Sequence, residues 1–332
     1  MKQTIFTLLL ISTIGFMSCR KNGVEPTITQ YDQTQILNYI KSNNITGMQK
    51  DTVGGDTSGI YYKVLTPGTG APLAFTDQIS FVFTLKSFDG LYISSDTINN
   101  HFYGYVGHIA SGILPLGVEI SIINDLKQSG GSIRILVPSQ LGFGVAGYGS
   151  GSINNPGTHI AGNQGLDFYV HVIAKQSDDV YGTNTLGYQY EYSPAQAAYD
   201  DQVIQTYLKT TGISFTKAPS VNFPGVSYYY AVRVPGAGTD SITQNSDITT
   251  TYEGRLLNNT IFDQAYNAIA DTINYAVPNL PKGVQEALTH VAGDASISVV
   301  MPSILGYGNV TESGIPILSC LRYEYEIKRV YP

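Results

Sequence analysis

The chain has 332 residues, a formal net charge of −7 and only 13% charged residues. Its length suits about two domains of roughly 100–200 residues, each large enough to bury its own core. Its basic residues form no run longer than a pair such as Arg20-Lys21, which excludes the positive surface that a nucleic-acid-binding protein needs, and the low charge favours a β-rich protein from outside the cytoplasm.

The first nineteen residues have the features of an export signal. Lys2 supplies a positive charge, residues 5–14 form an apolar run too short to cross a bilayer as a mature helix, and Cys19 follows a small residue. The segment resembles a bacterial lipoprotein signal, which implies that Cys19 is lipidated and becomes the new N-terminus. An ordinary secretory peptide with an accidental cysteine is the alternative. We expect Cys320, the other cysteine, to be a buried small hydrophobe, because a lone internal cysteine makes no disulfide framework.

A polar tether, residues 20–30, follows this signal. No acidic cluster follows Cys19. An acidic cluster at this place would be a tag for export to the cell surface. Without it, the pattern predicts a lipid-anchored protein of the cell envelope, held in the outer membrane and facing the periplasm.

Residues 31–45 and 199–213 are near copies of each other. The similarity continues further along both copies, where residues 138–144 match residues 302–308. The chain therefore contains one unit twice. Each copy begins with apolar residues at helical spacing, which predicts a short amphipathic arm helix. Such arms could be extensions, dimerisation elements or packing elements, and we favour packing. The predicted boundaries are a signal at 1–19, a tether and arm at 20–57, a first domain at 58–176, a linker and second arm at 177–224, and a second domain at 225–332.

Apolar residues alternate with polar ones over residues 79–85, 133–137, 166–172 and 323–327. This period of two predicts antiparallel strands with one buried face. One segment in each unit has helical spacing instead: Val118, Ile122 and Leu126 in the first, and Val284, Ala287, Leu288 and Val291 in the second. The predicted fold class is therefore α+β, with an antiparallel β-sheet wrapped around a short α-helix in each of two tandem domains.

Four ordered segments of the second unit resemble FKBP-type peptidyl-prolyl cis-trans isomerases. They are the strand and turn at residues 252–263, the start of a helix at 280–288, the tyrosine loop at 301–308, and the closing segments around Ile315 and Tyr323. The resemblance covers about residues 225–332, and residues 58–176 match it more loosely. It implies two FKBP-like domains and a peptidyl-prolyl cis-trans isomerase that acts on proline-containing polypeptide clients without a cofactor or metal.

The resemblance also implies a pocket in the second domain. Its catalytic residues would be Tyr252, Phe262, Asp263 and Tyr307, and its substrate-binding residues Leu280, Val284, Ile315 and Tyr323. Tyr307 would donate a hydrogen bond to the substrate carbonyl, and Asp263 would shape the field at the pocket edge. The chain has no Trp, so Val284 and, in the first unit, Val118 would stand at the floor where the family usually has one.

The first unit departs from the pattern in its polar groups. Phe83 and Phe143 replace the two tyrosines, and residues 92–95 supply no carboxylate at the aspartate position. An apolar groove would persist there, lined by Phe83, Phe102, Leu114, Val118, Phe143, Ile160 and Phe168. We therefore expect activity mainly in the second domain. The alternative function is a non-catalytic peptide-binding or chaperone lipoprotein that uses both grooves.

Other chemistry finds little support in the sequence. Residues 142–147 spell GxGxxG, but the glycine- and asparagine-rich segment after them does not suit the start of a helix, so dinucleotide binding is rejected. The five histidines show no paired metal-ligand spacing. We expect His171 to lie on a strand face in a structural role.

Overall fold

A computed structural model describes residues 26–331 apart from 112–113, 151–157, 185–186, 188, 238 and 267–273. The export signal, Cys19 and the first part of the tether lie outside the described residues. Among the helices of the described ranges, none has both the length and the apolar character needed to cross a membrane.

The first unit builds a seven-stranded antiparallel sheet from residues 49–175. Its strands lie in the order β1-β2-β6-β7-β3-β4, and β5 also pairs with β3. The predicted alternating segments at 79–85, 133–137 and 166–172 all fall within strands of this sheet. The bounds are β1 Gln49–Lys50, β2 Tyr61–Thr66, β3 Gln78–Ser87, β4 Ile93–Ser94, β5 His101–Tyr105, β6 Ser132–Val137 and β7 Leu166–Lys175.

The second unit repeats this topology over residues 216–331. Its strands lie in the order β10-β11-β15-β16-β12-β13, and β14 also pairs with β12. The bounds are β10 Thr216–Pro219, β11 Ser227–Val234, β12 Asp247–Leu256, β13 Ile261–Ala265, β14 Asn274–Ala276, β15 Ser296–Met301 and β16 Leu321–Tyr331. The prediction of an α+β fold with antiparallel sheets is confirmed.

One short helix lies against each sheet, as the helical spacing predicts. Helix α2 covers Leu116–Ser121 and continues as a π-helical turn, Ile122–Leu126. Its counterpart α4 covers Lys282–Leu288. Val118 and Val284 are fully buried in the two separate cores, so each helix contributes its apolar face to the core of its own unit.

The arm helices are α1, Ile28–Ser42, and α3, Pro194–Thr211. Thr27 and Gln30 form a capping box at the start of α1, whereas α3 begins with a Ser193 cap followed by proline and ends at Gly212 with φ +65°. Both helices pack on sheets. Ile36 of α1 contacts the cluster around Leu136 of the first sheet, and Ile204 of α3 packs with Tyr229 and Val300 of the second.

The opposite side of α3 faces the first sheet, where Tyr199 packs against Val82 and Ile173. The ring of His171, on β7, lies 5.8 Å from that of Tyr199. Cys320 is buried beside Ile204, in agreement with its predicted place in the core. The second arm helix therefore lies between the two units and contacts both.

The predicted linker contains more regular structure than its glycine and asparagine content suggests. Strands β8, Val180–Thr183, and β9, Gln189–Tyr192, pair as an antiparallel hairpin, and α3 begins two residues later. Asn184 and Gly187, which lie between the two strands, are typical of turns and of loops alike, so their presence does not predict a hairpin.

Candidate functional site

The predicted pocket residues of the second unit form one aromatic cluster on its sheet. Val284, Ile315 and Tyr323 are buried and make the floor. Tyr252, Phe262, Leu280 and Tyr307 are half-buried and pack against this floor from the solvent side. The geometry thus provides an apolar surface whose outer aromatic rings remain accessible.

A hydrogen bond joins Tyr252 to the one carboxylate of the cluster. The Tyr252 hydroxyl, on β12, donates to Asp263 Oδ2 on β13 over 2.7 Å. Asp263 also accepts from the backbone amide of Gln264 over 2.8 Å and is itself exposed. Burial, followed by the hydrogen bond to Asp263, raises the pKa of Tyr252 well above its usual range, so its hydroxyl stays protonated and able to donate.

The hydroxyl groups of Tyr307 and Tyr323 lie 3.4 Å apart. Tyr307 belongs to the loop that follows β15, and Tyr323 lies on β16. Burial raises the pKa of Tyr323 far above its usual range, with a further contribution from Tyr307. Either hydroxyl can be the donor in this contact. When Tyr323 donates to Tyr307, the proton of Tyr307 is available for another acceptor, such as a carbonyl oxygen.

Close packing at the centre of the cluster depends on Gly254 of β12. A Cβ atom at this position would lie 2.7 Å from Phe262 Cε2 and 2.9 Å from Tyr323 Cε1. The absence of a side chain lets the Phe262 ring approach Tyr323 edge-on, with ring centroids 5.6 Å apart. Gly254 is therefore a packing requirement of this site rather than a turn residue.

Two aromatic residues of the cluster were not among the predicted site residues. Tyr325 stacks on Tyr252 with ring centroids 5.4 Å apart, and Tyr275 meets Tyr252 edge-on, also at 5.4 Å. Tyr325 lies two residues after Tyr323 on one strand face, so the alternating pattern could have identified it. Tyr275 comes from β14, and only the pairing of that strand with β12 brings it to the site.

The strand registers show which first-unit residues occupy the equivalent positions. Gly254 pairs with Asp263 and with Tyr323, while Leu85 of β3 pairs with Ser94 and with Phe168. The first unit thus has a leucine side chain at the position where Gly254 has none. Serine also replaces the carboxylate, as expected from residues 92–95.

The predicted groove residues of the first unit are mostly core residues. Phe83, Leu114, Val118, Ile160 and Phe168 are buried, whereas Phe102 and Phe143 are half-buried. Phe102 stacks on Phe81 with ring centroids 4.6 Å apart. The first unit therefore resembles a filled core more than an open groove.

The loop after Phe143 covers part of this face. Tyr148 stacks on Phe143 with centroids 4.6 Å apart, and its amide and carbonyl exchange hydrogen bonds with those of Ile160. Gly147 and Gly149 have φ values of +68° and +93°, and a Cβ at either position would lie 2.1 Å from a carbonyl oxygen of the opposing segment. Glycine at both positions is what allows the loop to fold back on itself.

Within the described ranges, no three His, Cys, Asp or Glu side chains are grouped in a way that could hold a metal ion. The chemistry of the aromatic cluster is accordingly that of an apolar, hydrogen-bonding surface with one carboxylate at its edge.

Comparison with known proteins connects this region to a family. Residues 238–328 match the model of the FKBP-type peptidyl-prolyl cis-trans isomerases. The chain is 37% identical over 100 residues to the peptidyl-prolyl cis-trans isomerase Mip of Coxiella burnetii, a match that covers 29% of this chain and 41% of Mip. It is 29% identical over 113 residues to the isomerase FkpA of Buchnera aphidicola from Schizaphis graminum, covering 34% of this chain and 44% of FkpA.

Among solved structures, FkpA from Escherichia coli is 22% identical, with a TM-score of 0.33 and coverage of 41% of this chain and 61% of that one. The chain spans less than half the length of each of these two curated relatives. The matched segment contains Tyr252, Phe262, Asp263 and Tyr307 in the arrangement described above. Residues 238–328 of the second unit are therefore similar to the FKBP-type peptidyl-prolyl cis-trans isomerases.

Proposed function

We propose that this chain is a peptidyl-prolyl cis-trans isomerase made of two tandem FKBP-like domains, with its activity in the second. The observation that carries the proposal is the aromatic cluster over Val284, with the Tyr252–Asp263 hydrogen bond at its edge. The family match over residues 238–328 supports the same assignment.

The geometry suits a reaction that needs no nucleophile. Rotation about an Xaa-Pro bond is opposed by amide resonance, with a barrier of ~18–20 kcal/mol, and takes tens to hundreds of seconds. The twisted transition state has lost resonance and is less dipolar than the planar amide, so an apolar surface favours it relative to water. Lowering the barrier by about 7 kcal/mol would accelerate the reaction about 10⁵-fold.

Each group of the cluster has a role in this proposal. The rings of Phe262 and Tyr323 exclude water and contact the proline ring. Tyr307 donates a hydrogen bond to the substrate carbonyl, and Asp263 holds Tyr252 in place and shapes the field at the imide. These roles require only that the side chains bind and orient the peptide.

Two-dimensional NMR exchange spectroscopy on an Xaa-Pro test peptide examines this assignment. We expect exchange cross-peaks between the cis and trans forms in the presence of the full chain and their strong weakening with Asp263→Ala, because Tyr252 then loses its acceptor. Undiminished exchange with a folded Asp263→Ala protein would remove Asp263 from the mechanism.

The location of the protein is part of the proposal. The signal-like segment that ends at Cys19 supports a lipid-anchored protein that acts on extracytoplasmic clients, in the outer membrane facing the periplasm. The mass of the mature protein would test the anchor, since lipidation adds acyl chains to Cys19 and Cys19→Ser abolishes them. A mature protein without acyl chains would contradict it.

A second function applies to the first domain. Leu85 and Ser94 replace Gly254 and Asp263 there, which argues against catalysis and leaves the half-buried Phe102 and Phe143 as the apolar surface for a peptide. Titration of an isotope-labelled full chain with an apolar proline-containing peptide would distinguish the two domains. We expect shifts around Phe143 in the first domain without a contribution to the isomerisation rate. Unchanged first-domain signals would oppose this role.

A further inference from the structure

The best-preserved parts of the internal repeat are the arm helix and the Pro-Ser turn before the site loop, and the proposed mechanism uses neither. Asp32 and Asp200 occupy equivalent positions in the arms, as Ser139 and Ser303 do in the turns. Their side chains meet in both units, although 103 or more residues separate them in the chain.

In the second unit the contact is a buried carboxylate with several donors. Asp200 Oδ2 accepts from the Ser303 amide over 2.8 Å and from the Ser303 hydroxyl over 2.6 Å. Asp200 Oδ1 accepts from Gln196 Nε2 over 2.8 Å. Asp200 and Ser303 are each 1% exposed, so the carboxylate has exchanged water for these hydrogen bonds.

Ser303 in turn holds the loop of Tyr307 by its carbonyl group. That oxygen accepts from the amide of Gly306 over 2.9 Å and from the amide of Gly308 over 2.8 Å. These two amides lie on either side of Tyr307. Fixing Ser303 therefore fixes the backbone on both sides of the residue that the proposed mechanism uses as hydrogen-bond donor.

The first unit has the same construction around a residue without a hydroxyl. Asp32 Oδ2 accepts from the Ser139 hydroxyl over 3.0 Å and from the Gln140 amide over 3.2 Å. The Ser139 carbonyl accepts from the amides of Gly142 and Gly144, on either side of Phe143. The two units thus share the carboxylate–serine hydroxyl contact, once beside tyrosine and once beside phenylalanine.

The contact of the second unit also extends to the first sheet. Ser80 Oγ, on β3, donates to Gln196 Oε1 over 2.8 Å, and both side chains are buried. A buried chain of hydrogen bonds therefore runs from Ser80 through Gln196 and Asp200 to Ser303. The arm helix carries the two middle members of this chain.

We propose that Asp200 is a positioning residue for Tyr307, so that the arm helix, which lies outside the family match, is part of the catalytic apparatus. This inference rests on the proposed function, because it assigns a role in isomerisation. It predicts that the isomerase site needs the arm as well as residues 238–328.

The test compares kcat/KM of the full chain with that of Asp200→Ala and of its matched control, Asp32→Ala. Both variants remove a buried carboxylate from an equivalent contact, so both should lower the melting temperature. We expect Asp200→Ala to reduce kcat/KM roughly 10-fold, because a small misplacement of a hydrogen-bonding group is costly. Asp32→Ala should change it less than about two-fold. Equal effects of the two substitutions on kcat/KM would overturn the proposal.

Two further variants separate positioning from general destabilisation. Asp200→Asn keeps a carbonyl oxygen that accepts from Ser303. Its new NH₂ group can donate to Gln196 once the side-chain amide of Gln196 rotates by 180°, so this variant should retain most of the activity. In a Tyr307→Phe background, Asp200→Ala should have less than a two-fold further effect on kcat/KM. Independent, multiplicative losses would show that Asp200 does not act through Tyr307. If Asp200→Ala does not fold, Ser303→Ala and its control Ser139→Ala provide the same comparison.

Hydrogen exchange keeps this inference distinct from the proposed function. A wild-type chain that does not accelerate isomerisation would refute the proposed function. The contact itself would still predict faster exchange of the Gly306 and Gly308 amides in Asp200→Ala, and of the Gly142 and Gly144 amides in Asp32→Ala. Unchanged exchange at Gly306 and Gly308 would refute the positioning role whatever the activity.

Discussion

Adding one methyl group at Gly254 should disable the proposed isomerase site. The Cβ of Gly254→Ala would lie 2.7 Å from Phe262 Cε2 and 2.9 Å from Tyr323 Cε1, whereas ordinary contacts begin at 3.4 Å. One ring must therefore retreat by up to about 0.7 Å, and the half-buried Phe262 has more room than the buried Tyr323. Overpacking of this kind costs about 1–3 kcal/mol of stability. Displacement of an aromatic ring at the site should lower kcat/KM roughly 10-fold or more.

Gly104→Ala is a suitable control for this substitution. Gly104 also lies in a strand next to an aromatic ring, and its Cβ would lie 3.1 Å from Phe102 Cζ in the first unit. Urea unfolding would give the stability of each variant, and the isomerisation of an Xaa-Pro test peptide would give kcat/KM. We expect Gly104→Ala to leave kcat/KM unchanged. Full activity of a folded Gly254→Ala protein would refute the assignment of the site to the Phe262–Tyr323 contact.

Two further predictions concern stability and reactivity. Burial, with repulsion from Asp51, raises the pKa of Asp125 to about 7, so the folded state binds the proton more tightly than the unfolded state between about pH 4 and pH 7. The free energy of unfolding should fall as pH rises through this window, by at most about 1.4 kcal/mol per pH unit from this group. Asp125→Asn should remove that part of the slope in urea titrations, and an identical slope in the variant would contradict the prediction. Burial also raises the pKa of the Cys320 thiol, so a thiol reagent should modify it only after unfolding, and rapid reaction of the native protein would contradict its placement in the core.

The sheets and central helices could be predicted because their residues are patterned locally. Residues 79–85 and 323–327 alternate in hydrophobicity, and strands β3 and β16 lie there. The linker hairpin, residues 180–192, has no such pattern, because pairing and turn residues rather than burial define it.

The site residues divide in the same way into those with a local sequence pattern and those without one. Tyr252, Phe262 and Asp263 follow one another within a short strand–turn–strand segment, so their family resemblance is visible in the sequence. Tyr275 and the Asp200–Ser303 contact depend on which distant segments meet, and this is fixed by tertiary packing. The repeat gives Asp200 and Ser303 counterparts in the first unit, but it does not reveal that they touch.

The central claim is that this chain catalyses rotation about Xaa-Pro bonds. The most direct test is the cis-to-trans rate of test peptides that differ in the residue before proline, measured with the purified full chain. The reference is the uncatalysed reaction, which takes tens to hundreds of seconds. We expect a clear acceleration that scales with protein concentration and that Gly254→Ala and Asp263→Ala both reduce. An uncatalysed rate with every peptide, in the presence of a folded protein, would contradict it and leave peptide binding as the function of both domains.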